Sequence, residues 1–330
     1  MLLSVVMTFK CPHPDHLAEA IESILTARLD SFSALELILV DDGSVEDQAP
    51  LIARLAAQAP THCELKHIVL PANQGVSCAR NIGMAAASGD WIAMHDADDL
   101  SLPNRFEVSA RYLITHPAVI AVSGDLQVFW DDAAEGEAES LRLFPLEHDE
   151  ICVDNLFYCA MAQPALMINR ALWLASGVQY TPKMDMAQDW DFLIRLAQHG
   201  QLANLGEPLV RYRQHHKQRT SRVNGEAPNL HVQGIWQRQL AQLGVSSSDA
   251  ILKTHSLLSP YWLWVLNDLT QAWEVLPAQV DEWYGEMLSG NAQTGYVCAK
   301  LLRQKLSRIQ HNWRAWRLSA DPATQLQRLI

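Results

Sequence analysis

Several short clusters carry most of the residues that could do chemistry. The sharpest, His95-Asp96-Ala97-Asp98-Asp99, follows an apolar run, and alternation along an extended segment predicts Asp96 and Asp98 on one face with Ala97 between them. Two carboxylates so placed suit Mg2+ or Mn2+ carrying a substrate's phosphates, a role in which the protein supplies few ligands. The competing reading makes these acids a cap for a helix over Leu100–Thr115. Asp41 and Asp42 in VDDGS can accept from base N–H or ribose hydroxyl groups, or can simply form a turn. Arg80, in the helix-opening GVSCARN, can reach a phosphate or pair with one of the acids. Ala187-Gln188-Asp189-Trp190-Asp191 opens another helix. There Asp191 pairs with Arg195 at i,i+4, and Asp189 sits in the first turn, where the helix dipole favours the ionised form, either as a general base toward a hydroxyl or as an ordinary helix-start acid. Finally, His215 and His216 lie among Arg211, Arg213, Lys217 and Arg219, either as ligands to a metal or pyrophosphate or as part of a solvated basic loop.

Positioning these residues requires a sheet with its strand ends aligned. Strands are expected at Leu3–Thr8, Leu35–Val40, His67–Leu70 and Asp90–Met94, with helices at His16–Ala27 and Val76–Ala87 between them, the pattern of βαβ units in a mainly parallel sheet. Ligands of such sheets gather at the carboxyl ends of the strands, where Thr8, Asp41, Asp42, Asp96 and Asp98 fall. Beyond them, PALMIN reads as a strand, Asp185–Gly200 as a helix with a glycine cap, and Leu209–Tyr212 as a short last strand. The acidic Asp131–Ser140 stretch reads as a surface loop. After about Asn224 the pattern is helical only, which places a soft boundary in SRVNGEAPN and divides the chain into 1–223 and 224–330.

The 330 residues, 49% of them hydrophobic, suffice for a large core, and a net charge of -12 argues against nucleic acid as a partner. The six cysteines form no CxxC pair and no zinc spacing, which points to a reduced cytoplasmic chain. MLLSVVMTFK lacks the basic start and cleavage site of a signal peptide and reads as a first strand. The stretch SLLSPYWLWVLNDLTQAWEVL is interrupted by Asn267, Asp268 and Glu274, so no spanning helix is expected.

The order SVVMTFK, LILVDDGS, NQGVSCARNIGMAAASGDWIAMHDADD, AQDWDFLIRLAQHG, LVRYRQHH resembles the inverting glycosyltransferase family 2, over roughly Leu2–Ser221. The resemblance implies a GT-A fold, a Rossmann-like α/β sheet flanked by helices, here with a C-terminal helical extension. It also implies a nucleotide-diphosphate sugar donor, UDP-sugars favoured, a Mg2+ or Mn2+ cofactor, and a glycan or glycolipid acceptor. By position, Thr8, Phe9, Asp41, Asp42, Arg80 and Asp96 would meet the donor. Asp96 and Asp98 would be the metal-binding DxD pair, with His215 able to approach the metal, and Asp189 would be the catalytic base. Three positions depart from the family pattern: Phe9 lacks the hydroxyl of the usual Tyr, Gln188 replaces a frequent Glu, and the CPHPDH segment is longer than usual. His95 stands where an apolar residue is common and receives no role.

Other readings are weaker. A sugar nucleotidyltransferase wants a Gly-rich basic loop after the first strand, where TFKCPHP has none. A DxDx(T/V) phosphatase wants Thr or Val where Asp99 stands. A non-catalytic sugar-binding protein would not need Asp96, Asp98 and Asp189 together. In the tail, Leu302, Leu306, Ile309, Trp313 and Trp316 form a stripe flanked by Lys300, Arg303, Arg308, Arg314 and Arg317, which either packs on a neighbouring domain or lies in an anionic membrane surface.

Overall fold

The computed structural model describes residues 1–131, 139–184, 186–215, 230–246, 248–259 and 275–317, with residues 316 and 317 described by backbone only. Strands β1 (Leu2–Phe9), β2 (Ala34–Asp41), β3 (Cys63–Val69) and β4 (Trp91–Asp96) lie parallel in the order β3-β2-β1-β4. Near-continuous apolar runs such as SVVM and LILV suit strands covered on both faces. On one face, Leu3, Val5, Met7 and Phe9 pack with Leu17, Ile21 and Ile24 of α1 (Pro14–Leu25), Ile52 and Leu55 of α2 (Ala49–Gln58), and Phe106 and Leu113 of α4 (Arg105–Thr115). On the other face lies α3 (Val76–Ala86). It comes so close that a Cβ added at Gly83 would stand 2.4 Å from Val6 Cγ1, so only glycine fits there.

The sheet continues through β8 (Met167–Asn169), antiparallel to β4, into β6 (Val119–Trp130) and β9 (Gln201–Gln214), which are parallel to each other. Short β5 (Leu100–Ser101) pairs with β9, and β7 (Ser140–Arg142) with β6. This is the expected GT-A architecture, with differences of detail. The last strand has 14 residues rather than a short run, because β6 accompanies it along most of its length. The helix expected to begin at Asp185 is α7 (Gln188–Leu196), which follows the short α5 (His148–Asp154) and α6 (Arg170–Ser176), and Asp185 itself lies outside the described residues. Gly200 does not cap it: the C-cap is Ala197, and Gly200 is needed where a Cβ would stand 2.8 Å from Ile120. The helix expected from Leu100 begins at Arg105 with Asn104 as N-cap, so the acids of the DADD run do not cap it.

The chain forms two compact units, Met1–His148 with Met161–His215, and Asp149–Ala160 with His216–Ile330. The Ser221–Asn229 boundary, most of the acidic loop, His216 and the Pro260–Glu274 stretch lie outside the described residues. In the second unit, α8 (Leu230–Gln242), α9 (Asp249–Leu258), α10 (Pro277–Thr294) and α11 (Ala299–Arg317) enclose Val153, Leu156 and Phe157. The apolar stripe of the tail is part of this core: Leu302, Leu306, Ile309 and Trp313 are buried, while Lys300, Arg303, Arg308 and Arg314 are exposed. These four side chains of the stripe therefore pack within their own unit, while the side chain of Trp316 lies outside the described residues. Among the described residues no helix is long and apolar enough to cross a membrane.

Candidate active site

Two turns at the strand ends begin the site. After β2, the Asp41 carboxylate accepts the Ser44 N–H at 2.7 Å, and Asp42 accepts the N–H groups of Gln74 and Gly75 at 2.7 and 2.9 Å. Gly43 has φ +72°, and a Cβ there would lie 2.7 Å from the Ala72–Asn73 backbone, so VDDGS and PANQG fit together only through glycine. Asp42 thus satisfies amides just ahead of α3, where an anion would otherwise be favoured. Thr8 is partly exposed and pairs in register with Asp96. Phe9 points to the opposite face, 6% exposed in the core and stacked on His67 with ring centroids 6.3 Å apart. In this conformation its ring is not offered to a base.

Helix α3 explains the GVSCARN run. Ser77, Arg80 and Asn81, at i, i+3 and i+4, share one face of the helix. Ser77 Oγ donates to the Met184 carbonyl at 2.9 Å, and Asn81 both donates to and accepts from the Tyr180 backbone at 2.8 Å. Arg80 lies 5.4 Å over the Tyr180 ring, whose other partner is Phe192, stacked at 4.2 Å, while the Tyr180 hydroxyl bonds Gln163. Arg80 Nη2 donates to Asp96 Oδ1 at 3.2 Å, and its buried Nη1 has no hydrogen-bond partner among the described residues. Tyr180 was not among the residues singled out from sequence, since an isolated tyrosine in a loop has no motif to mark it.

The DADD run is not the extended segment the alternation predicts. Asp96 ends β4 and the chain then turns, with Asp99 N–H donating to the Asp96 carbonyl at 3.3 Å. The turn, rather than the period of two, brings the two carboxylates together. Burial, with Asp98 and Asp189 close by, raises the Asp96 pKa against the pull of Arg80. Asp98 Oδ2 meets His215 Nε2 at 3.2 Å. Asp99 is fully buried, and burial with the charges of Asp98 and Asp96 pushes it well above its ordinary value.

His95 now acquires a role. Arg105 Nη1 donates to His95 Nδ1 at 2.7 Å, so Nε2 carries the proton and donates to the Asp99 carbonyl at 3.2 Å. Burial and the Arg105 guanidinium hold its pKa down at about 3, which keeps it neutral. Asp189 enters from α7, where it accepts the Trp190 N–H at 2.8 Å. The helix follows Ala187, held at φ +57°, a strained conformation for a residue with a Cβ. The expected Asp191–Arg195 pair is present at 2.7 Å. Asp189 is near enough that its charge raises both Asp96 and Tyr180.

Asp96, Asp98 and Asp189 therefore converge from two elements beside the buried cation Arg80 and the imidazole of His215. Among the described residues no group of three or more His, Cys, Asp and Glu side chains holds an ion unaided. Asp98, Asp96 and His215 nonetheless supply carboxylate and imidazole donors of the kind a divalent cation takes when a substrate provides its remaining ligands.

Residues 4–163 match the family profile described as Glycosyl transferase family 2. An uncharacterized glycosyltransferase of Haemophilus influenzae is 26% identical over 216 residues, 64% of this chain but 65% of that protein, so the likeness spans about two thirds of the relative's length. The amylovoran biosynthesis glycosyltransferase AmsE of Erwinia amylovora is 27% identical, covering 64% of this chain and 76% of its own. Among solved structures, S. aureus TarS 1–349 in complex with UDP-GlcNAc superposes with TM-score 0.59 at 14% identity, covering 96% of this chain and 92% of TarS 1–349. The likeness to TarS is one of fold, the GT-A arrangement of a mixed sheet between helices. The profile match and the curated relatives identify residues 4–163 as a glycosyltransferase family 2 region.

Proposed function

We propose that the protein transfers a sugar from a nucleotide-diphosphate sugar to an acceptor hydroxyl with inversion. The observation that carries this is the excess of negative charge in one site. Asp96, Asp98 and Asp189 are held together with Arg80 as the buried counter-cation, and burial, reinforced by the neighbouring acids, raises Asp96. Such a site gains when Mg2+ or Mn2+ binds, and the cation, when bound to Asp98 and Asp96 with His215 alongside, supplies Lewis-acid stabilisation to a diphosphate.

The chain's own groups do the rest. Asp189 takes the proton of the acceptor hydroxyl as that oxygen bonds to the anomeric carbon, and the bond from that carbon to the diphosphate oxygen breaks on the opposite face. The orphaned Nη1 of Arg80 is a donor awaiting an anion, which suits the departing diphosphate. Thr8, Asp41 and Asp42 border the strand ends where the nucleoside would lie. A UDP-sugar is the favoured donor, given the UDP-GlcNAc complex of the TarS fold relative. A glycan acceptor in polysaccharide or glycoconjugate synthesis suits the amylovoran relative. We place the reaction in the cytoplasm, a reading supported by six free cysteines.

The test is Asp189→Asn with UDP-GlcNAc and a panel of GDP- and dTDP-sugars. Turnover should fall by about 10^2- to 10^4-fold, the usual contribution of a general base, with donor affinity retained. Undiminished turnover would remove Asp189 from the chemistry.

A further inference from the structure

The lengthened CPHPDH segment and the residues following it join a network centred on buried Arg213, a residue to which the catalytic reading gives no part. Arg213 is 5% exposed. Its backbone N–H donates to Asp99 Oδ1 at 2.9 Å and its Nε to the Asp98 carbonyl at 2.8 Å. Nη1 donates to Asp131 and Nη2 to Glu19, each at 2.5 Å, and the guanidinium lies 4.9 Å over the Phe129 ring. Asp131 also meets His16 Nε2 at 3.0 Å, and the His16 ring lies 5.6 Å from that of His215. From β4 comes a second attachment, because His95 donates to the Asp99 carbonyl and is itself held by Arg105, whose Nη2 bonds the Met94 carbonyl at 2.5 Å.

Two successive carbonyls of the DADD turn are thus tied to separate elements, Asp98 to β9 and Asp99 to β4. A turn left to itself samples several backbone conformations, and fixing each residue is opposed by about 1–2 kcal/mol of entropy. A carboxylate meant to meet an ion within a few tenths of an ångström needs that freedom removed beforehand. Only an arginine can hold three partners at once in one plane: a lysine carries the charge but not the fork.

We propose that Arg213 is a positioning residue for the cation- and diphosphate-binding turn, with His95 as its second anchor and Glu19 and Asp131 as the groups that aim its guanidinium. This inference rests on reading Asp96 and Asp98 as the cation and diphosphate site. It predicts a geometric requirement and not merely a charge requirement at residue 213.

The experiment measures UDP binding by calorimetry, with Mn2+ and with EDTA, together with melting temperature, for the full chain and for Arg213→Lys, Arg213→Gln, Glu19→Gln and Asp98→Asn. Arg213→Lys and Arg213→Gln should each lose about 10- to 100-fold of the Mn2+-dependent gain in UDP affinity, the usual effect of removing a residue that orients a metal ligand. UDP binding in EDTA should stay at the parent value, and Glu19→Gln, which removes one half-exposed anchor, should lose less. A Lys variant that keeps the full Mn2+-dependent gain overturns the proposal, as does an equal loss with and without Mn2+. If Arg213→Gln does not fold, the Lys and Glu19→Gln variants still decide the matter. Asp98→Asn separates the two levels. Should it also keep the gain, or should the parent show none, the reading of the site falls and the proposal with it; should it alone lose the gain, only the role of Arg213 falls.

Discussion

Glu36 offers a test of how the sheet holds its shape far from the chemistry. Its side chain, near the start of β2, is buried and accepts from Ser4 Oγ, from the Ser88 backbone and hydroxyl, from the Gly89 N–H at 3.2 Å and from Lys66 Nζ. Those donors come from β1, β3 and the α3–β4 connection, so one carboxylate ties together the ends opposite the candidate active site. Burial alone would raise its pKa, but the Lys66, Ser4 and Ser88 bonds together overcome that and lower it from 4.5 to about 2. Because the folded value lies below the unfolded one, the stabilisation is complete above pH 4.5 and is lost as the pH falls toward 2. The gap between 4.5 and about 2 corresponds to about 3 kcal/mol. The raised pKa of Lys66 is the same interaction seen from its partner and is not added.

Glu36→Gln keeps the shape and removes the charge. At pH 7 it should lower stability by about 3 kcal/mol, or about 6–12 °C in melting temperature for a unit of roughly 200 residues. Thermal and urea melts of parent and variant between pH 7 and pH 3 give the answer. The difference should be flat from pH 7 to 5 and shrink below it. A difference that stays constant down to pH 3, or one below about 1 kcal/mol at pH 7, would refute the assignment of this stabilisation to the ionised carboxylate.

In the second unit, burial lowers His255 to about 4, and it bonds the Leu156 carbonyl and the Trp283 indole N–H. The unfolded chain takes up the proton first, so stability should fall by up to about 3 kcal/mol as the pH drops from 6.5 to 4. His255→Phe should be less stable at pH 8 yet show a shallower loss across that window, and an unchanged slope in denaturant melts would sink the idea. Gly83→Ala should destabilise by about 1–3 kcal/mol through overpacking against Val6 and Val40, and should weaken UDP binding because Arg80 rides on the same helix. Destabilisation with full UDP affinity would show that α3 tolerates the shift. Tyr180→Leu removes the ring beneath Arg80 and should weaken UDP binding more than Tyr180→Phe, which loses only the bond to Gln163; equal affinities for the two variants would argue against the ring as the support of Arg80.

What could be read without coordinates was whatever local periodicity encodes. The alternation of β-rich runs with amphipathic stretches marked β1 to β4 with α1 and α3, and chemically loaded strand ends marked Asp41, Asp42, Asp96 and Asp98. Asp189 and Asp191 were separable in sequence because the i,i+4 relation to Arg195 belongs to the helix itself. The length of β9 was not legible, since pairing with β6 set it and not its own composition. Phe9 reads as a ligand-stacking ring until strand alternation is anchored to a particular core, which places it inside. The amphipathic tail was equally open, because a helix shows that it has an apolar face but not what covers it. Here the cover includes Val153, Leu156 and Phe157, more than 140 residues earlier in the chain. His95, Arg105, Tyr180 and Arg213 lay beyond reach for the same reason. Their partners sit 4 to 194 positions away, in directions set by the packing of β4, β9, α3 and α4. Sequence determined which groups the site has; tertiary structure decided which are free to act and which are engaged in holding the others still.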